Sequence, residues 1–402
     1  MSEQDRAALI ERHLDVDYLT AILVRLLQTP TDVPLGQTEL APEDPKLARY
    51  VREIVQPELT RCGYDRIVVD ASNNLVCRIG ADVASPSLLL MGYAVAQHAN
   101  LMADPYSGRI ASGRDYGLDE PCAFGQAATQ HKGALAAALG ALKLLADSGV
   151  RLRGQLIFAV NTEGRSSHAN SRQIVDDRGA RADQGILAFA TDNRISLGNR
   201  GRVDVNVTIT GKAAHSSQPW LGLSAIDGAY QALTRLRAMR FEQTHPQLGA
   251  AQATVYKLQF SPIAPHTLPA TAQMTIDRRL LPGEEIDAAV AGVRAALGDL
   301  SPYRLTVEQG AFMYPADVPP DAPVVKAIQA AGRATLGREI ETFYLPNTFD
   351  AGYANHVGIP TVMFGPGVRR LGSGVMDEDL VALSAVRDAA RVYAHTILSL
   401  LG

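Results

Sequence analysis

The segment Val203-Asp-Val-Asn-Val-Thr-Ile-Thr210 alternates apolar and polar residues along its whole length. A period of two residues predicts a β-strand with one buried face and one face in water. The residues that follow predict, in order, a helix, two strands, a second helix and a last strand, at 224–240, 253–260, 270–281, 284–297 and 304–309. This order is β-α-β-β-α-β, so we predict a ferredoxin-like α+β domain over residues 201–311.

The sequence on either side of this domain has a different pattern. Continuous apolar runs at 86–91, 154–160 and 361–364 have the length of buried strands, and the Ala- and Leu-rich stretch 132–148 predicts a helix. Uninterrupted apolar strands separated by helices are typical of an α/β sheet that is covered on both faces. We therefore predict that residues 1–200 and 312–402 form one discontinuous α/β domain, into which the ferredoxin-like domain is inserted.

Composition narrows the function classes. The chain has 402 residues, 47% of them hydrophobic and 20% charged, and a formal net charge of −4. This balance lacks the excess of Lys and Arg that a nucleic-acid-binding surface requires. No stretch approaches the roughly 20 consecutive apolar residues that span a bilayer. The N-terminus lacks the apolar core of a signal peptide, and three cysteines do not form a disulfide framework. We expect a cytoplasmic protein with neither nucleic acid nor membrane as partner.

Several short motifs occur in an order that is informative as a set. They are Asp104-Pro-Tyr-Ser-Gly108, Lys132-Gly-Ala-Leu-Ala-Ala137, Gly211-Lys-Ala-Ala-His-Ser-Ser-Gln-Pro219, Ile276-Asp-Arg-Arg-Leu-Leu-Pro-Gly-Glu284 and Gly358-Ile-Pro-Thr-Val-Met-Phe-Gly-Pro-Gly367. Together they resemble the dinuclear-zinc amidohydrolases that include acetylornithine deacetylase, succinyl-diaminopimelate desuccinylase, aminoacylase and glutamate carboxypeptidase. The resemblance implies a three-layer zinc-exopeptidase-like α/β domain, an inserted lid and dimerisation domain, and amide (C–N) bond chemistry.

The resemblance also assigns metal ligands, and this sequence departs from most of them. The family's first zinc-binding His falls at Tyr93, and the Asp that orients it falls at Val95. Its bridging Asp falls at Gln130, and its paired glutamates, a general base followed by a ligand, fall at Thr162 and Glu163. The next acidic ligand falls at Phe189 and the last His at Gly374. Of the five ligand positions, only Glu163 therefore keeps a metal-binding side chain.

Zinc requires three or four His, Cys or carboxylate ligands, and the side chains of Tyr, Gln and Thr are poor substitutes. We therefore predict a degenerate site with no bound metal and no cofactor. His98, His131 and His168 lie near the altered motifs. They leave open the alternative that a different metal site has been rebuilt.

The remaining family positions supply candidate functional residues. Glu163, His215 and Tyr93 are the candidates for catalysis. In relatives, the His that matches His215 crosses a dimer interface to stabilise an oxyanion in the partner's active site. Arg279 falls where relatives bind a substrate carboxylate, which suits a guanidinium fork. His266 replaces a frequent Asn at a ligand-contacting position. The candidate ligand-binding set is Arg279, His266, Asn347, Gly365, Gly367, Gln130 and Thr162.

Three functional hypotheses remain open at this point. The first is a metal-independent pseudoenzyme that binds a small, amino-acid-like carboxylate or amide ligand. It would act as a homodimer through the inserted domain, or as a heterodimer that supplies His215 to an active paralogue. The second is a zinc-independent hydrolase, lyase or cyclase that uses Glu163 with Tyr93 as a second proton-transfer group. The third is an ordinary metal-dependent amide hydrolase whose ligands lie elsewhere in the chain.

Overall fold

The computed structural model describes residues 1–34, 37, 39–96, 101–163, 167–367 and 377–402. The chain divides into two compact units. Unit 1 contains residues 1–198, 317–344 and 353–402, and unit 2 contains residues 199–316 and 345–352. Unit 1 is thus discontinuous in sequence, and the short segment 345–352 belongs with unit 2.

The helices begin and end at residues that suit their termini. The Asp15 carboxylate accepts a hydrogen bond from the Tyr18 N–H at the start of the second helix, and Gly149 ends the fifth in a left-handed conformation. The helices are α1 (Glu3–His13), α2 (Val16–Leu27), α3 (Pro45–Ala48), α4 (Gln56–Arg61), α5 (Gly133–Ser148), α6 (Ala169–Arg172), α7 (Ala225–Ala238), α8 (Ile286–Leu297), α9 (Pro323–Leu336), α10 (Ala351–His356) and α11 (Leu383–Leu401). Three π-helical segments, Arg49–Val55, Ala128–Lys132 and Gln173–Asp177, join or extend them, and Arg114–Tyr116 and Pro219–Leu221 are 3-10 turns.

In the described residues, the strands form two main sheets, a three-stranded sheet and two short pairs. They are β1 (Ile67–Val69), β2 (Leu75–Gly80), β3 (Ser87–Tyr93), β4 (Ile110–Gly113), β5 (Leu118–Phe124), β6 (Gln155–Asn161), β7 (Gln184–Ala188), β8 (Ile195–Asn199), β9 (Gly201–Thr210), β10 (Ala214–His215), β11 (Thr244–His245), β12 (Gly249–Ala250), β13 (Gln252–Ser261), β14 (Thr267–Leu268), β15 (Thr271–Leu280), β16 (Arg304–Met313), β17 (Ala316–Asp317), β18 (Thr342–Leu345), β19 (Thr361–Phe364) and β20 (Leu380–Ala382).

Unit 1 is built on a sheet with the order β1-β2-β6-β3-β7-β19-β8-β17, and β18 pairs with β8. Strands β6, β3, β7 and β19 are mutually parallel. Every residue of β6 and β19 is buried, so both faces of the sheet are covered and the unit has three layers. Helices α5, α9 and α11 pack on the central strands and on one another. This confirms the predicted α/β fold of the discontinuous domain.

Unit 2 confirms the predicted ferredoxin-like fold. Its four long strands lie in the antiparallel order β13-β15-β9-β16, and α7 and α8 pack on them. The alternation in β9 is real: Val203, Val205, Val207 and Ile209 are buried, whereas the polar residues between them are partly or fully exposed. These four side chains join the apolar faces of α7 and α8 in the core of the unit.

The sequence patterns do not predict two of the local elements. The segment around Cys122 forms strand β5, and its thiol is buried. Its partner strand β20 is only three residues long, which leaves almost no periodic signal. Helix α1 was not predicted either, because it is mostly polar and buries only Ile10. Among the described residues, no helix combines the length and apolar character that crossing a membrane requires.

Candidate functional site

The carboxyl ends of the parallel strands gather most of the sequence-predicted residues of unit 1. Tyr93 is the last residue of β3, and Thr162 and Glu163 follow β6 directly. Gly365 follows β19 directly. Because these strands are parallel neighbours, all four residues lie along one edge of the sheet. Ligands of open α/β sheets bind at such an edge, so this edge is the candidate site of unit 1.

Glu163 is buried, with 8% of its surface exposed, and both carboxylate oxygens accept hydrogen bonds from the protein. Oε1 accepts from the backbone N–H and the hydroxyl of Ser167, each at 2.7 Å. Oε2 accepts from the backbone N–H of Asn170 at 3.0 Å, beside the first turn of α6. The carboxylate therefore holds Ser167 and Asn170, because it supplies acceptors to their hydrogen-bond donors.

Thr162 is also part of a closed hydrogen-bond network. Its backbone N–H donates to Oδ1 of Asn74 at 3.0 Å, and its hydroxyl lies 2.7 Å from the carbonyl oxygen of Ser72 and 2.9 Å from the same Asn74 oxygen. The hydroxyl in turn accepts from the Asn170 amide at 3.0 Å. Asn74 is fixed by two hydrogen bonds to the Asp70 carboxylate. A hydroxyl with this many partners is a structural group at this edge.

Tyr93 packs against Phe189, the residue at another position where the resemblance places a metal ligand. Their ring centroids are 5.9 Å apart and the ring planes cross at 86°, which is a favourable edge-to-face contact. The Phe189 ring has no atom that can bind zinc, and Tyr93 offers only its phenol oxygen, which is a poor zinc ligand. At two of the positions where the resemblance places ligands, the sheet edge therefore has an aromatic surface.

Gln130 and His131 lie in the π-helical turn before α5. The carbonyl oxygen of Gln130 accepts from the backbone N–H of Ala190 at 3.3 Å, which ties this turn to the end of β7. His131 is fully buried, and its Nε2 lies 3.2 Å from the carbonyl oxygen of Ala94, so Nε2–H is the donor. Burial lowers the pKa of His131 to about 3, and the neighbouring Lys132 charge lowers it further. This histidine is a neutral core residue.

Sequence reasoning missed a buried pair of titratable groups beside this turn. Lys132 is fully buried, and its ammonium donates to the carbonyl oxygen of Thr29 at 3.0 Å. Burial lowers the pKa of Lys132 to about 7, against the opposing effect of Asp379. Burial likewise raises the pKa of Asp379 to about 7, although its carboxylate accepts a hydrogen bond from the Thr129 N–H. The Lys-Gly motif located Lys132, but no sequence signal linked it to a residue 247 positions further on.

The glycine loop after β19 is held by close backbone contacts. The Gly365 N–H donates to the Thr191 hydroxyl at 3.0 Å, so this donor already has a protein partner. Gly367 has a φ of +110°, and a Cβ there would lie 2.4 Å from the Thr129 carbonyl oxygen. These glycines permit three loops to meet at the sheet edge. Their role in ligand binding stays a prediction.

His168 has a left-handed backbone, is buried, and packs on Tyr353 with ring centroids 5.6 Å apart. His98 and Gly374 lie outside the described residues. In the part of the chain that the structure describes, no group of three or more His, Cys, Asp or Glu side chains has the geometry of a metal site.

The described side chains at the family's ligand positions do not fit two zinc ions. Tyr93 and Phe189 contact each other, Thr162 is hydrogen-bonded, and Glu163 uses both of its oxygens on the protein. A single carboxylate cannot hold two divalent cations.

Unit 2 brings two of its predicted residues together. His215 is the last residue of β10 and His266 directly precedes β14, the strand that pairs with β10, and their ring centroids are 6.0 Å apart. The Ser217 N–H donates to Nδ1 of His215 at 3.2 Å, so the proton of the neutral ring lies on Nε2. Both histidines are exposed. His215 therefore presents an outward N–H donor.

Arg279 and Asn347 also belong to unit 2. The Arg279 guanidinium forms an ion pair with Asp277, with Nε and Nη2 at 2.9 and 2.8 Å from the same carboxylate oxygen. Its Nη1 donates to the Thr348 hydroxyl at 2.9 Å. The neighbouring Asn347 is exposed. The Asp277 carboxylate and the Thr348 hydroxyl thus orient the guanidinium. A ligand carboxylate would have to compete with Asp277 for it.

Comparisons with known proteins agree with this fold. Residues 197–304 match the family model of the peptidase dimerisation domain, which is part of the M20 peptidases. Carboxypeptidase G2 of Pseudomonas is 31% identical over 42% of this chain, and the match covers 40% of that enzyme. Succinyl-diaminopimelate desuccinylase of Methylobacterium is 28% identical over 73% of this chain and 75% of its own length. An M20 family metallo-carboxypeptidase from Sulfolobus solfataricus superimposes with a TM-score of 0.75 at 15% identity, covering 94% of this chain and 98% of that one.

The fold and the order of its motifs therefore define an M20-type protein, with an α/β domain and an inserted α+β domain. The chain is a homologue of the M20 peptidases and amidohydrolases, and its inserted segment is their dimerisation domain. This confirms the family resemblance drawn from the sequence motifs. The activity is a separate question, because it depends on the altered edge of the sheet.

Proposed function

We propose that this protein is an M20 homologue without a dinuclear metal centre. It binds a small, amino-acid-like carboxylate or amide ligand and acts as a metal-independent binding or partner subunit. The observation that carries this proposal is the use of both Glu163 carboxylate oxygens by Ser167 and Asn170. The one acidic ligand that remains has become part of the scaffold.

The chemistry of amide hydrolysis supports the same conclusion. A metal ion in such enzymes generates hydroxide near neutral pH and polarises the scissile carbonyl. The family's general-base position is Thr162, whose hydroxyl does not ionise near neutral pH and is held by Asn74 and Ser72. Neither group needed for activating water is therefore present at its family position.

Unit 2 supports a role that involves a second chain. Several of its large apolar side chains are exposed, among them Trp220, Tyr230 and Ile263, at 74%, 71% and 92%. Ile226 and Tyr230 are four residues apart on α7 and so lie on one face of this helix. Burying such a face against another copy removes apolar surface from water. We propose that this face forms a homodimer, or pairs with an active paralogue in a heterodimer.

His215 is the group that such a partner would use. Its Nε2–H points away from the Ser217 contact and is free to donate to negative charge that develops on a substrate oxygen. Co-purification with an active relative would support the heterodimer form. If His215→Ala left that partner's hydrolysis rate unchanged, the donation of His215 would be wrong.

Elemental analysis of the purified protein, combined with hydrolysis assays, tests the proposal. We expect less than one equivalent of zinc, manganese or cobalt per chain after dialysis against these ions. We also expect no hydrolysis of N-acetylornithine, N-succinyl-diaminopimelate or dipeptides, with an acetylornithine deacetylase as positive control. Two metal equivalents with metal-dependent hydrolysis would overturn the proposal and favour an ordinary M20 hydrolase. Hydrolysis that survives chelators would favour a zinc-independent enzyme.

A further inference from the structure

Unit 1 has a cavity at the edge of the sheet opposite to the candidate site. This cavity of about 510 Å³ is formed by the turn after α4, the end of β2 and the segment that follows α5. Gly80, at the end of β2, pairs with Gln155, the first residue of β6, whereas Glu163 lies two residues beyond the opposite end of β6. A strand of this length spans roughly 20 Å, so the two sites are well separated.

Three arginines line this cavity, namely Arg66, Arg78 and Arg151, against one acidic residue, Asp65. Arg66 donates to the Gly80 carbonyl oxygen at 2.8 Å and lies 3.4 Å from the exposed carboxylate of Asp82. Arg78 is anchored by the carbonyl oxygens of Arg178 and Gly179. Asp82 thus pairs with Arg66, whereas no described carboxylate forms an ion pair with Arg78 or Arg151, so the cavity keeps an excess of positive charge.

Arg151 is the third cation, and it is exposed at the mouth of the cavity. It follows the left-handed Gly149 that ends α5, so its backbone position is fixed by the helix end. The lining beneath the arginines is apolar and includes Ile79, Leu145 and Leu152. The cavity thus combines a cationic rim with an apolar floor, and its volume lies in the range of small-molecule sites.

We infer that this cavity binds a small organic anion whose carboxylate or phosphate group contacts the arginines and whose apolar part covers the floor. Guanidinium groups bind both head groups through charge-assisted, often bidentate hydrogen bonds. The apolar floor adds affinity for a hydrocarbon body and discriminates against inorganic anions. This site is independent of the metal question, because it shares no residue with the other edge of the sheet.

Isothermal titration calorimetry with defined probes tests this inference. Hexanoate and phenyl phosphate carry the two head groups on an apolar body, hexanamide lacks the charge, and acetate lacks the body. We expect at least one of the first two to bind at least tenfold more tightly than hexanamide and acetate. Whichever of the two binds more tightly identifies the head group. Affinities of both anions equal to that of hexanamide, or no binding of either anion, would overturn the inference.

Variants locate the binding. Arg151→Gln removes one charged contact at an exposed position, and we expect the dissociation constant of the tighter anion to rise about tenfold or more. Ala146→Phe fills the cavity from α5 and should abolish binding, with circular dichroism to verify the fold. The matched control is Arg240→Gln in unit 2, where the exposed side chain contacts only carbonyl oxygens of its own segment. Equal dissociation constants for Arg151→Gln and Arg240→Gln would contradict the assignment to this cavity.

Discussion

Replacing Glu163 by Gln separates a structural carboxylate from a catalytic one. The substitution keeps the size of the side chain but replaces one oxygen by an NH₂ group and removes the charge. In the wild-type protein, Oε1 accepts from Ser167 at 2.7 Å and Oε2 accepts from Asn170 at 3.0 Å. In either orientation of the amide, one backbone N–H would face another donor inside the protein.

The expected cost follows from these contacts. A hydrogen bond to a charged group contributes roughly 1.5–3 kcal/mol, and a buried donor without a partner costs a similar amount. We expect Glu163→Gln to lower the free energy of local unfolding by about 2 kcal/mol or more. A change of this size makes opening of the hydrogen-bonded backbone roughly 30-fold more frequent.

Hydrogen exchange followed by mass spectrometry or NMR measures this effect. The amides of Ser167 and Asn170 should exchange about 30-fold faster in the variant, and urea unfolding of unit 1 should begin at a lower concentration. Glu53→Gln is the matched control, because Glu53 is an exposed glutamate of the same unit. Exchange rates within a factor of two of the wild type would refute the structural role. Loss of a chelator-resistant hydrolysis at unchanged stability would assign Glu163 to catalysis instead.

Three further predictions concern other parts of the molecule. Burial lowers the pKa of His131 from 6.5 to about 3. Between these two pH values, the His131 imidazole is neutral in the folded protein, whereas in the unfolded chain it takes up a proton. Stability should therefore fall as the pH decreases below 6.5, by about 1.4 kcal/mol per pH unit for this one proton. In urea unfolding at a series of pH values, His131→Gln should remove that part of the dependence of the unfolding free energy on pH. Equal dependence in the variant and the wild type would contradict the lowered pKa of His131. Gly367→Ala should destabilise the protein by about 2 kcal/mol more than Gly358→Ala, measured by urea unfolding. Both positions have a positive φ, but only at Gly367 would the new Cβ meet a backbone oxygen, whereas Gly358 faces open space. Tyr230→Glu should weaken self-association at least 30-fold in sedimentation equilibrium, whereas Val68→Glu, an exposed apolar position of unit 1, should leave it unchanged. An unchanged association constant for Tyr230→Glu would exclude this face of α7 as the interface.

Much of the fold could be predicted from local patterns. The period-two alternation of 203–210 and the apolar run at 361–364 correspond to strands β9 and β19. The Ala- and Leu-rich stretch 132–148 corresponds to helix α5, Gly133–Ser148. Strand β5 and helix α1 were missed, since a short strand with a short partner and a mostly polar helix give little periodic signal.

The order of the motifs alone predicts that most metal ligands are replaced, because residue types decide whether a site can bind zinc. Only the tertiary structure decided which contacts those residues make. Tyr93 contacts Phe189, and Glu163 holds Ser167 and Asn170. Both arrangements depend on parallel strands that end at one edge of the sheet. The sequence also could not show that Lys132 and Asp379 are buried near each other, or that Arg66, Arg78 and Arg151 surround one cavity. Local patterns record the burial of each residue along its own element, whereas the neighbours across elements are fixed only when the sheet and helices pack.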